Sequence, residues 1–222
     1  MNPLNLILAS ASPRRRRFLL ELQLPHHLAA ADVDETPIAR EDPLDLAVRL
    51  ADAKANAVAA KLQDSDLPAL IIASDTVVAV DGETLGKPVD EDDAIAMLRR
   101  LRGRTHQVHS AIALLRIDAD GARREAGHLN TTHVDMRAYT DEEIVAYVAG
   151  GDPFDKAGGY AIQHRGFEPV AALRGCPAGV MGLPLADLRD LLHTFGVDIA
   201  PELPPICHHL TGLTCCQAAN PK

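Results

Sequence analysis

Arg14, Arg15, Lys54, Lys87 and Lys156 bring cations from separate parts of the chain, and Glu35, Asp75 and Asp155 bring carboxylates. That set suits a polyphosphate. Breaking a phosphoanhydride bond needs cations on the charged oxygens and a metal ion to bridge them. Carboxylates hold such a metal, and one of them can take a proton from the attacking water. Asp75 is the expected proton acceptor, because a carboxylate interrupting the apolar run ALIIASDTVVAV is partly desolvated unless neighbouring cations offset the effect. The alternative for Asp75 is a strand-end aspartate capping a nearby turn.

These side chains need elements to hold them. Leu4 to Arg17 reads LNLILASASPRRRR, an apolar strand running through small residues into a helix. Ser12 is a good N-cap and Pro13 suits the first helical position, so the helix is expected from there through FLLEL. Backbone N–H groups and the positive end of the helix dipole at that start favour a phosphate beside Arg14 and Arg15. Successive helix positions lie about 100° apart, so the four arginines cannot share one role, and a solvated basic face is the plain alternative. Ala29 to Pro37 reads as extended chain with Asp32, Asp34 and Glu35. An Ala-rich helix over Pro43 to Leu62 carries Lys54, whose ordinary role would be a snorkelling surface lysine.

Ala69 to Val80 reads as a strand covered on both faces, as in α/β proteins. Asp81-Gly82 marks a turn, and Gly86 and Pro88 hold Lys87 in a non-helical loop. A helix over Asp90 to Leu101 precedes two strands, Gln107 to Ile117 and Arg123 to Val134. Thr140 and Glu143 form a capping-box pattern for a helix reaching Val148. The loop GGDPFDKAGGYAIQ follows, too rich in glycine and charge for a simple connector, although a flexible linker would share that composition. Pro184 to Phe195 reads as the last helix. Beyond Asp198 the pattern fades, so residues 1–198 are expected to form the functional domain and 199–222 a disordered or lightly docked tail. Cys207, His208, His209, Cys215 and Cys216 lie there without an ordinary zinc-ligand spacing.

Composition narrows the partners. A chain of 222 residues suffices for one large core or two modest lobes. A net charge of −9 argues against a nucleic-acid-wrapping surface, and three tyrosines, four phenylalanines and no tryptophan leave little for stacking bases. No segment has the ~20 apolar residues that cross a bilayer. The N-terminal apolar run is short, and its positive charges follow it instead of preceding it, unlike an export signal. Four cysteines predict no disulfide framework and a reducing, cytoplasmic setting. No nucleophile-elbow, Walker A or G-x-G-x-x-G pattern occurs.

The segments LASASPRRR, VDET, Lys54-Ala55, SDTVV, GKP, GRTHQV, DPFDKAGGYAIQ and VMGLPL, in this order from about Leu4 to Phe195, resemble the Maf family of nucleotide pyrophosphatases. The resemblance implies a mixed α/β fold with an elongated, highly twisted sheet, flanked by helices, and a nucleotide cleft between two lobes, often in a homodimer. It implies hydrolysis of a nucleoside triphosphate between the α and β phosphates with a divalent cation, Mg²⁺, Mn²⁺ or Co²⁺. Asp75 would then be the proton acceptor. Ser10, Arg14, Arg15, Lys54 and Lys87 would hold phosphates, and Glu35, with Asp75, would act at the metal or the water.

Arg14, Thr76 and Gln163 are similar to the branch acting on dTTP and UTP, whereas a branch acting on 7-methyl-GTP carries an aromatic residue, Gln and Glu at those places. A pyrimidine gives Gln163 a carbonyl and an N–H to pair with. Ser110-Ala111, Ala161 and His164 depart from the usual family pattern, and they bear on base fit more than on phosphate binding. Two other readings remain: a haloacid-dehalogenase-type phosphatase using Asp32, Asp34, Thr36, Asp152 and Asp155, and a nucleotide-binding regulator of cell division without turnover.

Overall fold

The structure, a computed structural model, describes residues 3–216. Its frame is one sheet of seven strands: β1 (Asn5–Leu8), β2 (His27–Leu28), β3 (Ala69–Val80), β4 (Glu83–Leu85), β5 (Thr105–Ile117), β6 (Arg123–Met136) and β7 (Val170–Arg174). They lie in the order β2-β1-β3-β5-β6-β7, with β4 folded back on β3. β1 runs parallel to β2 and β3, whereas β3, β5, β6 and β7 pair antiparallel, so the sheet is mixed. The helices are α1 (Pro13–Glu21), α2 (Pro43–Ala59), α3 (Glu91–Leu101), α4 (Asp141–Ala149), α5 (Pro177–Val180), α6 (Leu185–Thr194) and α7 (Leu203–Thr211).

The long strands serve three cores. On one face of β3, Leu46, Leu50, Ala51 and Ala55 of α2 pack on Ile71 and Ala73. On the other, Phe18 and Leu19 of α1 and Leu188 and Leu192 of α6 meet Leu70 and Ile72. Farther along the same strand, Val78 and Val80 join Leu98 of α3 and Tyr147 of α4 in a separate cluster. Each fully buried leucine or phenylalanine contributes about 1.5–3 kcal/mol, so both ends of β3 are firmly held. Between them lie Ser74, Asp75 and Thr76, polar residues in a strand whose neighbours are buried on both faces. The two lobes and the cleft therefore follow from where β3 changes from apolar to polar and back.

The caps expected at Ser12 and Thr140 form: Ser12 accepts from the Arg15 N–H, and Thr140 and Glu143 close a reciprocal capping box. Asp90, expected as the first residue of α3, instead caps it by accepting from the Asp93 N–H. The chain beyond Asp198 differs from expectation. Pro184–Phe195 does not end the helices, because α7 follows and is docked, with Leu203, Cys207 and Leu210 in the core beside α6. Pro204 and Pro205 lie in its first turn, where no intrahelical N–H donor is required, and Gly212 at φ +72° ends it. Among the described residues no group of three or more His, Cys, Asp and Glu side chains is arranged to hold a metal. Burial and the adjacent Cys215 push the Cys207 thiol up to about 12. Residues 217–222 of the expected tail lie outside the described residues.

His106, buried on β5, bonds through Nε2 to the Tyr160 hydroxyl at 2.6 Å, and its Nδ1 has no partner among the described residues. Burial lowers its pKa from 6.5 to about 4. Between those values the unfolded chain binds the extra proton, so the stabilisation is complete above about pH 6.5 and is lost as pH falls toward 4. Over that interval His106→Phe is expected to lose about 3 kcal/mol less stability than the parent protein in urea unfolding. Parallel losses in the two proteins would show that His106 carries no such dependence.

Candidate active site

The start of α1 is built by its own serines. Ser10 Oγ accepts from the Ser12 N–H at 3.1 Å and from Arg15 Nη1 at 3.4 Å, turning the chain out of β1 and into the helix. Arg15 also reaches the opposite wall: Nε donates to the Gly182 carbonyl at 2.8 Å and Nη2 to Thr76 Oγ1 at 3.1 Å. Ser74 Oγ also donates to the Gly182 carbonyl, at 2.9 Å. Gly182 sits at φ +107°, and an added Cβ would lie 3.3 Å from Arg15 Nε, so glycine fits here for both conformation and space. Burial lowers the Arg15 pKa, with Arg14 acting in the same direction and Asp75 and Glu35 opposing. An arginine starts so far above neutrality that Arg15 stays cationic.

Lys54 reaches out of α2 onto β3, buried instead of snorkelling to solvent. Its Nζ donates to Asp75 Oδ1 and meets Glu35 Oε1 at 2.6 Å. The segment that carries Glu35 has no regular structure and is tethered by Arg49, which forks onto Glu41 at 2.6 and 2.9 Å and takes the Thr36 carbonyl at 3.1 Å. Partial burial pushes the Glu35 carboxyl up, but the hydrogen bond and charge of Lys54, with Lys87 and Arg15, outweigh it and hold Glu35 below its ordinary value. The two carboxylates thus converge on one cationic atom, 21 positions from Asp75 in sequence.

Arg14 pairs with Asp155 Oδ2 at 2.8 Å across the cleft. Lys156 holds the other carboxylate oxygen, Asp155 Oδ1, at 2.6 Å. Lys87 and Gln163 are exposed, and neither makes a hydrogen bond or ion pair among the described residues. Ser10, Arg14, Arg15, Glu35, Lys54, Asp75, Thr76, Lys87 and Gln163 all line one cleft with a volume of about 760 Å³. That is the size of a small-ligand site.

Sequence reasoning missed Gly182, Ser74 and Gly179 as parts of this wall; VMGLPL was the available signal, since a glycine before Leu-Pro marks a special backbone position. Ser110, a departure from the family pattern, bridges Thr76 Oγ1 at 2.9 Å and the Gly179 carbonyl at 2.7 Å, so the wall closes with serine. The phosphatase alternative fares worse. Asp34 caps the Thr36 N–H in a local turn at 2.9 Å, and Asp32 and Asp34 are exposed away from the cleft lining.

Comparison with known proteins follows the same lines. Residues 5–195 match the family described as Maf-like protein. A dTTP/UTP pyrophosphatase of Pelotomaculum thermopropionicum is 42% identical over 194 residues, 87% of this chain and 98% of that protein. One from Thermomicrobium roseum is 45% identical over 209 residues, 92% of each chain. The solved Ham1 protein of Staphylococcus aureus is 15% identical, with a TM-score of 0.42 over 86% of this chain and 97% of that one. A family match over nearly the whole chain, with relatives above 40% identity, leaves one conclusion: the chain belongs to the Maf family.

Proposed function

We propose that this chain is a nucleoside triphosphate pyrophosphatase that hydrolyses dTTP and UTP to the monophosphate and pyrophosphate. The observation that carries the reading is the Asp75–Lys54–Glu35 cluster, set in a cleft with Arg14, Arg15 and Lys87. The names of the relatives at 42 and 45% identity support the substrate class. In this reading Arg15 and Ser10 set the floor of the phosphate site, and Lys87 and Lys54 neutralise phosphate oxygens. Arg14 leaves Asp155 to meet the ligand. Thr76 and Gln163 face the nucleoside.

Asp75 takes the proton of a water that attacks the α-phosphorus. Its Oδ1 accepts the Lys54 hydrogen bond, which leaves lone pairs on the carboxylate for that proton. Glu35 and Asp75 would hold a divalent cation. The fit rests on their converging on one cation already, Lys54 Nζ, and their oxygens suit Mg²⁺, Mn²⁺ or Co²⁺. Such an ion, when bound, adds positive charge against the phosphate oxygens.

We assign this activity to residues 1–198, with α7 packed on the core of that domain. We take the protein as a cytoplasmic homodimer acting on a small nucleotide and not on nucleic acid or membrane. Among the described residues no helix is long and apolar enough to cross a bilayer. A screen of nucleoside triphosphates with each of the three metals, scored for pyrophosphate, tests the reading. Pyrophosphate from dTTP and UTP is expected; orthophosphate alone, or binding without turnover, would overturn it.

A further inference from the structure

Gln163, whose side chain has no hydrogen-bond partner among the described residues, depends on its neighbours for its position. The segment from Ala161 to Glu168 is held at its far end by Arg137, which donates to the carbonyls of Phe167 at 2.7 Å and Glu168 at 3.1 Å. Its near end rests on Tyr147 of α4, a residue that lies outside the cleft lining and has no role in the mechanism above.

The Tyr147 hydroxyl accepts the Ala161 N–H at 3.1 Å and donates to Asp152 Oδ2 at 2.6 Å. Its ring stacks on Phe167, with centroids 4.4 Å apart and planes 12° from parallel, and meets His164 edge-on at 4.8 Å. His164 closes the turn from inside, its Nδ1 accepting the Phe167 N–H at 2.9 Å. Ala161 and His164, two of the positions where this chain departs from the family pattern, thus both touch Tyr147, one on either side of Gln163.

We propose that Tyr147, with His164 packed on it, is a positioning residue for base recognition: it holds the Ala161 backbone on one side of Gln163 and the His164 and Phe167 rings on the other, and so sets where the carboxamide meets the pyrimidine. This rests on the reading of the cleft as a pyrimidine nucleotide site. A carboxamide recognises a base edge only if distance and angle are both held, and a segment released at Ala161 would let Gln163 swing into solvent. The phosphate end is built from other elements, α1, α2 and β3, and does not depend on this anchor.

Tyr147→Phe removes the hydroxyl and keeps the ring stack; His164→Gly removes the edge contact, together with the Nδ1 acceptor of the Phe167 N–H, and keeps the hydroxyl. In Tyr147→Phe the KM for dTTP and UTP is expected to rise about tenfold with kcat within twofold, and in His164→Gly about threefold. Calorimetric affinity for dTTP should fall in step, whereas affinity for pyrophosphate, which has no base, should stay within twofold. Equal weakening of both ligands would make Tyr147 a support of the whole fold and overturn the proposal, as would unchanged dTTP binding. Failure of the parent protein to release pyrophosphate from dTTP or UTP would defeat the functional reading instead, and the paired binding measurements would still decide the role of Tyr147.

Discussion

Asp75→Asn is expected to lower kcat by ~10² or more, about 2.7 kcal/mol of transition-state stabilisation, with dTTP affinity within a few-fold of the parent protein. The substitution is nearly isosteric. The amide oxygen can still accept from Lys54 Nζ, so the contact that ties α2 to β3 survives. What is lost is the ability to take a proton from water, together with one of the two negative charges available to a metal. Arg15, Ser10 and Lys87 are untouched, and the phosphate site should fill as before. Stopped turnover with intact binding, read by pyrophosphate release and calorimetry, is the signature of a missing base. Unchanged turnover would remove Asp75 from that role.

Lys54→Met acts on charge instead of proton transfer, and it should reach both stability and activity. Lys54 is the cation shared by Asp75, itself 7% exposed, and Glu35. Deleting one partner of a buried pair costs about 3–5 kcal/mol. Water screens the 56%-exposed side chain of Glu35 and reduces its share, so a loss of about 3 kcal/mol is expected. Turnover should fall on the order of 10²-fold, because a fixed positive charge aimed at the phosphates has gone. The two carboxylates left facing each other would then favour a divalent ion more strongly than in the parent protein. Millimolar Mg²⁺ should therefore raise the Tm of Lys54→Met by more than that of the parent protein, since a ligand that binds only the folded state stabilises it. Identical metal responses would show that Glu35 and Asp75 do not form one cation site.

Much of the frame was legible because its signals are local. β3 runs from Ala69 to Val80, the limits of its apolar pattern, and the caps at Ser12 and Thr140 are each read within four residues. β7 was not legible, since its five residues follow a proline and carry no alternation. α7 was hidden by Pro204 and Pro205, although Leu203, Cys207 and Leu210 recur at helical spacing on the buried side.

At the site, the residue types could be read but their pairings could not. Arg14 meets Asp155 across 141 positions, and Arg15 meets a carbonyl 167 positions away. A backbone acceptor has no side chain to announce it. Gly182 shows this most clearly, because its carbonyl and its missing Cβ, not its identity as a reactive group, shape the wall that holds Arg15.

If water activated at Asp75 attacks the innermost phosphorus of a pyrimidine nucleoside triphosphate, the new oxygen must end in the monophosphate. Hydrolysis of dTTP in water enriched in oxygen-18, with both products weighed by mass spectrometry, reads this out. A single labelled oxygen in dTMP and none in pyrophosphate is expected. Label in the pyrophosphate, or release of labelled orthophosphate, would contradict it.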